Sequence, residues 1–305
     1  MQCKRCGHKF YITRKLLGLK EGERICKEAR RKLGLIGALA SFRASEKIIE
    51  MFGWRVDKMT IWRSVQATSK EIEFGIDLEE DCRGEADGTG IPIQGIKKRG
   101  KEMKVFVQLK KRGGVRVAGV SIGNYDSGWD KLFKPLIAGM KKFKKFLLVT
   151  DGDRSIFKGI GGKVEVILQR CLWHIPHQLK YSLWQDKVKR NSEKWLYTMA
   201  KIYEICSIKR YIDEPNIIDA IVCSKEKQLE ELIDYCRVNC LNKSVEYLSN
   251  AKQNMFTAIK NRLEGRTISR VERVMRTINL RINIGKWSPK GALNLTKIRL
   301  AYYWL

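Results

Sequence analysis

KKFKKFLLVTDGDRSIFKG, residues 141–159, joins a basic segment to the run FLLVT and ends that run on Asp151. Five apolar or β-branched residues closed by a DG turn read as a short buried strand. The pattern on either side is also strand-like. EADGTGIPIQ begins at residue 85, KVFVQLKK spans 104–111, VRVAGVSI spans 115–122 and VEVIL spans 164–168. Turns rich in Gly, Lys and Arg separate the first three, KRGGV among them, which predicts an antiparallel meander. SGWDKLFKPLIAGMKK, residues 127–142, reads as one helix crossing to the fourth strand.

Three strands, a helix, a strand, a helix and a strand is the chain order of an RNase H-like α/β domain, in which the first and fourth strands lie side by side. That adjacency would bring Asp87 on the first strand to the same sheet edge as Asp151 at the end of the fourth. Each is followed by glycine, so either one alone reads as turn chemistry. As a pair on neighbouring strands they read as metal ligands. Two Mg²⁺ or Mn²⁺ ions bridged by carboxylates clamp the attacking and leaving oxygens of an in-line phosphoryl displacement. Asp153 is the next carboxylate in line after Asp151.

Composition supplies the substrate class. Lys and Arg total 61 against 33 Asp and Glu, a formal charge of +28 on 305 residues. Such a surface repels itself unless a polyanion is its usual partner, so nucleic acid is expected. At 44% hydrophobic, the chain has core for two or three structural units. Nine cysteines at irregular spacing, with no charged-then-apolar leader, exclude a secreted disulfide scaffold. They indicate a reducing compartment, the cytoplasm around the nucleoid. The longest apolar run, LGLIGALA at 33–40, is far short of the ~20 residues that a membrane span needs.

Towards the amino end, Cys3 and Cys6 in MQCKRCGHKF have zinc-knuckle spacing, with His8 and Cys26 the candidates to complete a Zn²⁺ site. No second CxxC follows, so residues 1–26 read either as a partial zinc-ribbon remnant or as a terminus with free thiols. Within residues 27–70, SFRASEKIIEMFGWRVDKMTIWRSVQAT (41–68) reads as helix, glycine turn and helix. Ile48, Ile49 and Phe52 stripe the first helix; Met59, Trp62 and Val65 stripe the second, which Asp57 caps. Lys58, Arg63, Ser64 and Gln66 then face solvent. This is the grammar of a DNA-binding helix-turn-helix, with Lys58, Arg63 and Gln66 as candidate DNA contacts. An ordinary αα-hairpin fits the same pattern. Residues 71–84, where the charge turns acidic, read as a linker, and residues 85–177 as the first part of the core.

Beyond it, residues 178–265 are helical by pattern and read as an all-helical insertion, and residues 266–305 as the final core helix and a basic tail. Eleven basic residues lie between 260 and 299, Arg273 and Arg276 among them as DNA contacts, with only Glu264 and Glu272 acidic. Ser269 and Glu272 have capping-box spacing. Yet Glu272, Arg276, Asn279 and Asn283 share a polar face opposite Ile268, Val271, Met275, Ile278 and Ile282, where a lone carboxylate among arginines suits a cation.

ADGTGIPI, VTDGDRSI, QRCLWHIPHQL and SRVERVMRTINLRINIGKWSPKGA, taken in that order, resemble the DDE transposases of prokaryotic insertion sequences, specifically the Mutator-like group. The resemblance covers about residues 40–300 and implies an RNase H-like core interrupted by a helical insertion. It further implies a metal-binding triad of Asp87, Asp151 and Glu272, with Cys171 and His174 beside it. The amino end departs from the group, being short and holding one CxxC. The Cys-x-x-His motif has three readings: a zinc site with His177, a polar brace in which His174 meets a phosphate or orients a metal ligand, or a packing pair. The implied function is binding of terminal repeats in double-stranded DNA, by a homo-oligomer assembled on it, with metal-dependent cleavage and strand transfer. A catalytically inactive DNA-binding relic or repressor, and a structure-selective nuclease, fit the same residues.

Overall fold

The computed structural model describes residues 23–96, 101–125, 127–208, 215–261 and 270–305, together with residues 5, 6, 14, 16, 18 and 19. Five strands, β1 (Arg83–Ile91), β2 (Lys101–Leu109), β3 (Val115–Gly123), β4 (Phe146–Thr150) and β5 (Val166–Arg170), form one sheet in the order β3-β2-β1-β4-β5. β4 runs parallel to both neighbours, with Glu85 opposite Val149 on one side and Thr150 opposite Arg170 on the other. Residues 110–114 are too few for a crossover, so β2 and β3 are antiparallel and the sheet is mixed. All five residues of β4 are buried, as a strand covered on both faces requires. The adjacency of the first and fourth strands is as the chain order suggests.

Two compact units divide the chain. One comprises 1–74, 89–103 and 274–305, the other 75–88 and 104–273. In the first, helices α1 (Lys27–Leu39), α2 (Phe42–Met51) and α3 (Lys58–Thr68) form a helical module. Asp57 caps α3 by accepting from the Met59 N–H at 3.0 Å, as its sequence suggests. The buried faces differ from expectation. Ile49, Ile61 and Val65 are buried, whereas Ile48, Phe52, Met59 and Trp62 are exposed. Ser64 is also buried, donating to the Thr60 carbonyl at 2.8 Å. The cause is α1, which closes on the other side of α3. A Cβ on Gly37 would lie 2.7 Å from Ile61 Cγ2, so only glycine admits this approach, which suits Ile61 and Val65 rather than Trp62. Lys58 and Arg63 are exposed, but Gln66 is half-buried and its amide oxygen accepts from Asn294.

Asn294 sits on the last helix, α13 (Pro289–Trp304), whose Leu295 and Ile298 share a core with Ala38 and Val65. The basic tail is therefore partly internal to this unit. Arg281 donates to the Ala40 carbonyl at 3.0 Å and Arg299 to the Thr277 carbonyl at 2.6 Å. Burial lowers the Arg281 pKa to about 10.

In the second unit, short helices α4 (Trp129–Phe133), α5 (Ile137–Met140) and α6 (Arg154–Ile160) cover the sheet. The single helix expected over 127–142 is two, because Pro135 lacks an N–H and crowds the preceding turn. Phe106, Phe133 and Phe146 centre this core, with Phe106 edge-on to Phe133 at 5.5 Å. The acidic stretch is not a loose tether from residue 77 onwards. The Asp77 N–H donates to Gln108 Oε1 at 2.8 Å, Gln108 donates back to the Asp77 carbonyl at 2.7 Å, and Arg116 pairs with the Asp77 carboxylate. Between β5 and the helix carrying Glu272, α7 (His174–Gln185), α8 (Glu193–Cys206), α9 (Pro215–Val238), α10 (Asn242–Lys252) and α11 (Thr257–Lys260) build a separate helical core around Leu179, Ile202, Leu229 and Leu248. Among the described residues no helix is long and apolar enough to cross a membrane.

Candidate active site

Asp87 stands on β1 two residues beyond Glu85, and Asp151 follows the last residue of β4 two residues beyond Val149, so both carboxylates come just after the end of the paired register, Glu85 with Val149. Asp87 Oδ1 accepts from the Gly88 N–H at 2.7 Å. The DGD turn after β4 is set by Gly152. Its φ of +97° belongs to glycine, and a Cβ there would lie 2.2 Å from the Arg170 guanidinium carbon. Within the turn Asp151 Oδ1 accepts from the Asp153 N–H at 2.9 Å. Asp153 is committed elsewhere: it caps α6, accepting from the Ser155 N–H at 2.8 Å and from the Ser155 hydroxyl at 2.6 Å.

The CLWH segment turns β5 into α7. The Cys171 N–H donates to the Thr150 carbonyl at 2.7 Å, and the His174 N–H closes back on the Cys171 carbonyl at 3.1 Å. His174 thereby becomes the first residue of α7, with its Nε2 2.8 Å from Glu272 Oε1. Glu272 belongs to α12 (Val271–Ile282), whose start is held by a carboxylate from the sheet. Glu85, fully buried on β1, accepts from the Arg270 N–H at 2.5 Å and from the Val271 N–H at 2.8 Å through one oxygen, Oε2. An acceptor at a helix amino terminus satisfies N–H groups that the helix itself leaves without partners. Successive residues on a strand face opposite sides, so Glu85 and Asp87 share one side of β1. The acid that holds α12 and the acid that meets its Glu272 are therefore neighbours on the same face.

Ligand atoms of Asp87, His174 and Glu272 all lie within 4.8 Å of one another, and this is the one group of three or more such residues among those described. Burial, then the charges of Glu272 and Asp151, raise the Asp87 pKa to about 8 against the opposing effects of His174 and the Gly88 N–H. Burial pulls His174 down, yet the Cys171 thiol, Glu272 and Asp87 outweigh it and raise the imidazole to about 10. The hydrogen bond from His174 holds Glu272 below the usual carboxylate range. Asp87 is thus biased towards its protonated form and His174 towards an imidazolium donating to Glu272. Such a proton occupies the place that a divalent cation would take among these oxygens, so the acids fit a hard cation. An imidazolium donor fits the role of orienting Glu272 rather than ligating.

Of the residues singled out in the sequence, Asp87 and Glu272 are brought together and His174 joins them. Asp151 lies outside the 4.8 Å group and reaches Asp87 through its charge. Cys171 is buried beside His174, whereas His177 turns its ring onto Trp173 with centroids 4.2 Å apart, so Cys171, His174 and His177 form no shared metal group. Arg273 and Arg276 are exposed on α12. Cys3, His8, Glu264, Ile268 and Ser269 lie outside the described residues, so the zinc and capping-box expectations rest there; Cys6 is exposed. Sequence reading missed Glu85, whose signal was an acid two residues before Asp87 on the same strand, and Arg170, the last residue before CLWH. No protein-family model matches this chain, and no curated protein matches it significantly.

Proposed function

We propose that this chain is a DNA strand-transfer enzyme, a transposase of the two-aspartate, one-glutamate type built on an RNase H-like core. The observation that carries this reading is the half-buried Asp87 carboxyl facing Glu272 and the charge of Asp151, beside the ends of parallel strands, in a chain of net charge +28. Asp87, Asp151 and Glu272 would hold two Mg²⁺ or Mn²⁺ ions. Such ions, when bound, activate the attacking oxygen and stabilise the leaving one in a phosphoryl displacement. His174 keeps Glu272 ionised and aimed, Glu85 fixes the start of the helix that carries it, and the Arg170 guanidinium against Gly152 places positive charge beside the Asp151 turn. Exposed Lys58, Arg63, Arg273 and Arg276 serve duplex DNA, on which copies of the chain assemble.

The test is a cleavage and joining assay in Mg²⁺ or Mn²⁺, on a duplex carrying inverted repeats from beside the reading frame. Asp87→Asn and Glu272→Gln should fold and bind duplex normally and lose both steps, while His174→Gln should lose roughly 10- to 100-fold. Cutting without joining would make the chain a nuclease, and neither step by the unaltered protein would make it a DNA-binding relic.

A further inference from the structure

One face of α7 carries a row of exposed rings. Its buried face, Ile175, Leu179 and Leu183, belongs to the helical core. The opposite face presents Trp173, His177, Tyr181 and Trp184, spaced at four, four and three residues. Trp173, Tyr181 and Trp184 are 46, 56 and 67% exposed, and they form one continuous row rather than scattered single rings. They are already paired for stacking. Trp173 and His177 lie 4.2 Å apart, and Tyr181 and Trp184 lie 5.5 Å apart with planes 25° from parallel. The row starts at the candidate site, where the Trp173 ring is edge-on to His174 at 4.9 Å.

The charge around the row is positive. From Trp173 to Lys194 the chain has five Lys or Arg against Asp186 and Glu193. Asp186 is moreover consumed, accepting from the N–H groups of Lys243 and Ser244 at 2.8 and 2.9 Å. An apolar protein surface would complement exposed rings but not this charge. Base faces with phosphates between them complement both. Eleven residues of helix span ~17 Å, room for about four or five stacked bases.

We propose that the Trp173–Trp184 face of α7 is a stacking platform for an unpaired DNA strand leading away from the Asp87–His174–Glu272 site. That the strand is DNA rests on the reaction proposed above; that its bases are unpaired rests on the rings, because a duplex hides its base faces.

Fluorescence anisotropy in EDTA tests it without cleavage, using the full chain with Asp87→Asn as background. The probes are an oligo-dT strand of roughly a dozen nucleotides, the same length of oligo-rU, and a duplex. Tyr181→Ala with Trp184→Ala should weaken oligo-dT binding roughly tenfold or more and leave duplex binding unchanged. Tyr181→Phe with Trp184→Phe should keep it. Unchanged or equally reduced binding of strand and duplex, loss in the phenylalanine pair, or preference for oligo-rU would overturn the assignment. Sedimentation of the alanine pair closes the remaining route: a change in oligomeric mass would make this face a contact between copies and overturn it as well. Binding that behaves as expected in a protein without joining activity would leave the platform standing and remove only the transposase reading.

Discussion

Glu272 shows what one carboxylate does when two rules compete for it. Its spacing from Ser269 invites it back to the helix backbone, but its Oε1 lies 2.8 Å from His174 Nε2. Its charge bears on Asp87, so the two acids titrate against each other, and the direction follows from the shifts. Asp87 is raised from 3.8 to about 8 and His174 from 6.5 to about 10. For both, the stability linked to the group is fully present below its unfolded pKa and is lost as pH rises through the folded one. Glu272, lowered, keeps its contribution above its unfolded pKa and loses it only in acid. In EDTA the melting temperature should therefore fall between pH 6 and 9, less steeply in Asp87→Asn. Mn²⁺ should raise it more at pH 8 than at pH 6, because at the lower pH the ion must displace the proton on Asp87. A flat profile in thermal melts, or an Mn²⁺ effect independent of pH, would count against this account. Asp87 was legible because the chain order sets its strand beside the one that ends on Asp151, and Glu272 because it is a lone acid among arginines. The His174–Glu272 pair was not, since nothing local marks two residues that meet only after β5, five helices and α12 are in place.

Among elements, the decisive one is α12 with its borrowed cap. Two of its first N–H groups end on Glu85 rather than on a side chain of the helix. Glu85→Ala should leave those donors unsatisfied in a buried place, costing ~2–4 kcal/mol in denaturant unfolding. Glu85→Gln keeps an acceptor and should cost less while still lowering activity, because it loosens the base on which Glu272 stands. An alanine variant as stable as the parent would show that α12 holds itself. Strand positions and strand order were readable, since β1 to β5 each carry a period or an apolar run and the connections allow few topologies. Helix faces were read less well. Trp62 and Met59 looked like core by spacing, but α1 reaches the other side of α3 and selects Ile61 and Val65. Spacing gives a helix's period, and only the partner gives its phase.

At the scale of the whole chain, the +28 charge argues for phosphate, although part of it is internal, since Arg281 and Arg299 are spent on carbonyls. Duplex binding should weaken steeply with salt, with a log–log slope of about −5 or steeper if six or more phosphates are covered. Anisotropy titrations at several salt concentrations measure it, and a flat response would remove nucleic acid as the partner. The two compact units could not be read from composition, because each is assembled from segments that the chain visits at different times. The Glu85 cap makes timing matter. Glu85 and Val271 are 186 residues apart, and a ribosome releases the first long before the second. While synthesis runs, the sheet can fold with Asp87 and Asp151 in place, but the third acid has not yet emerged. The start of α12, and with it the meeting of Glu272 with His174, is therefore among the last contacts the chain can make.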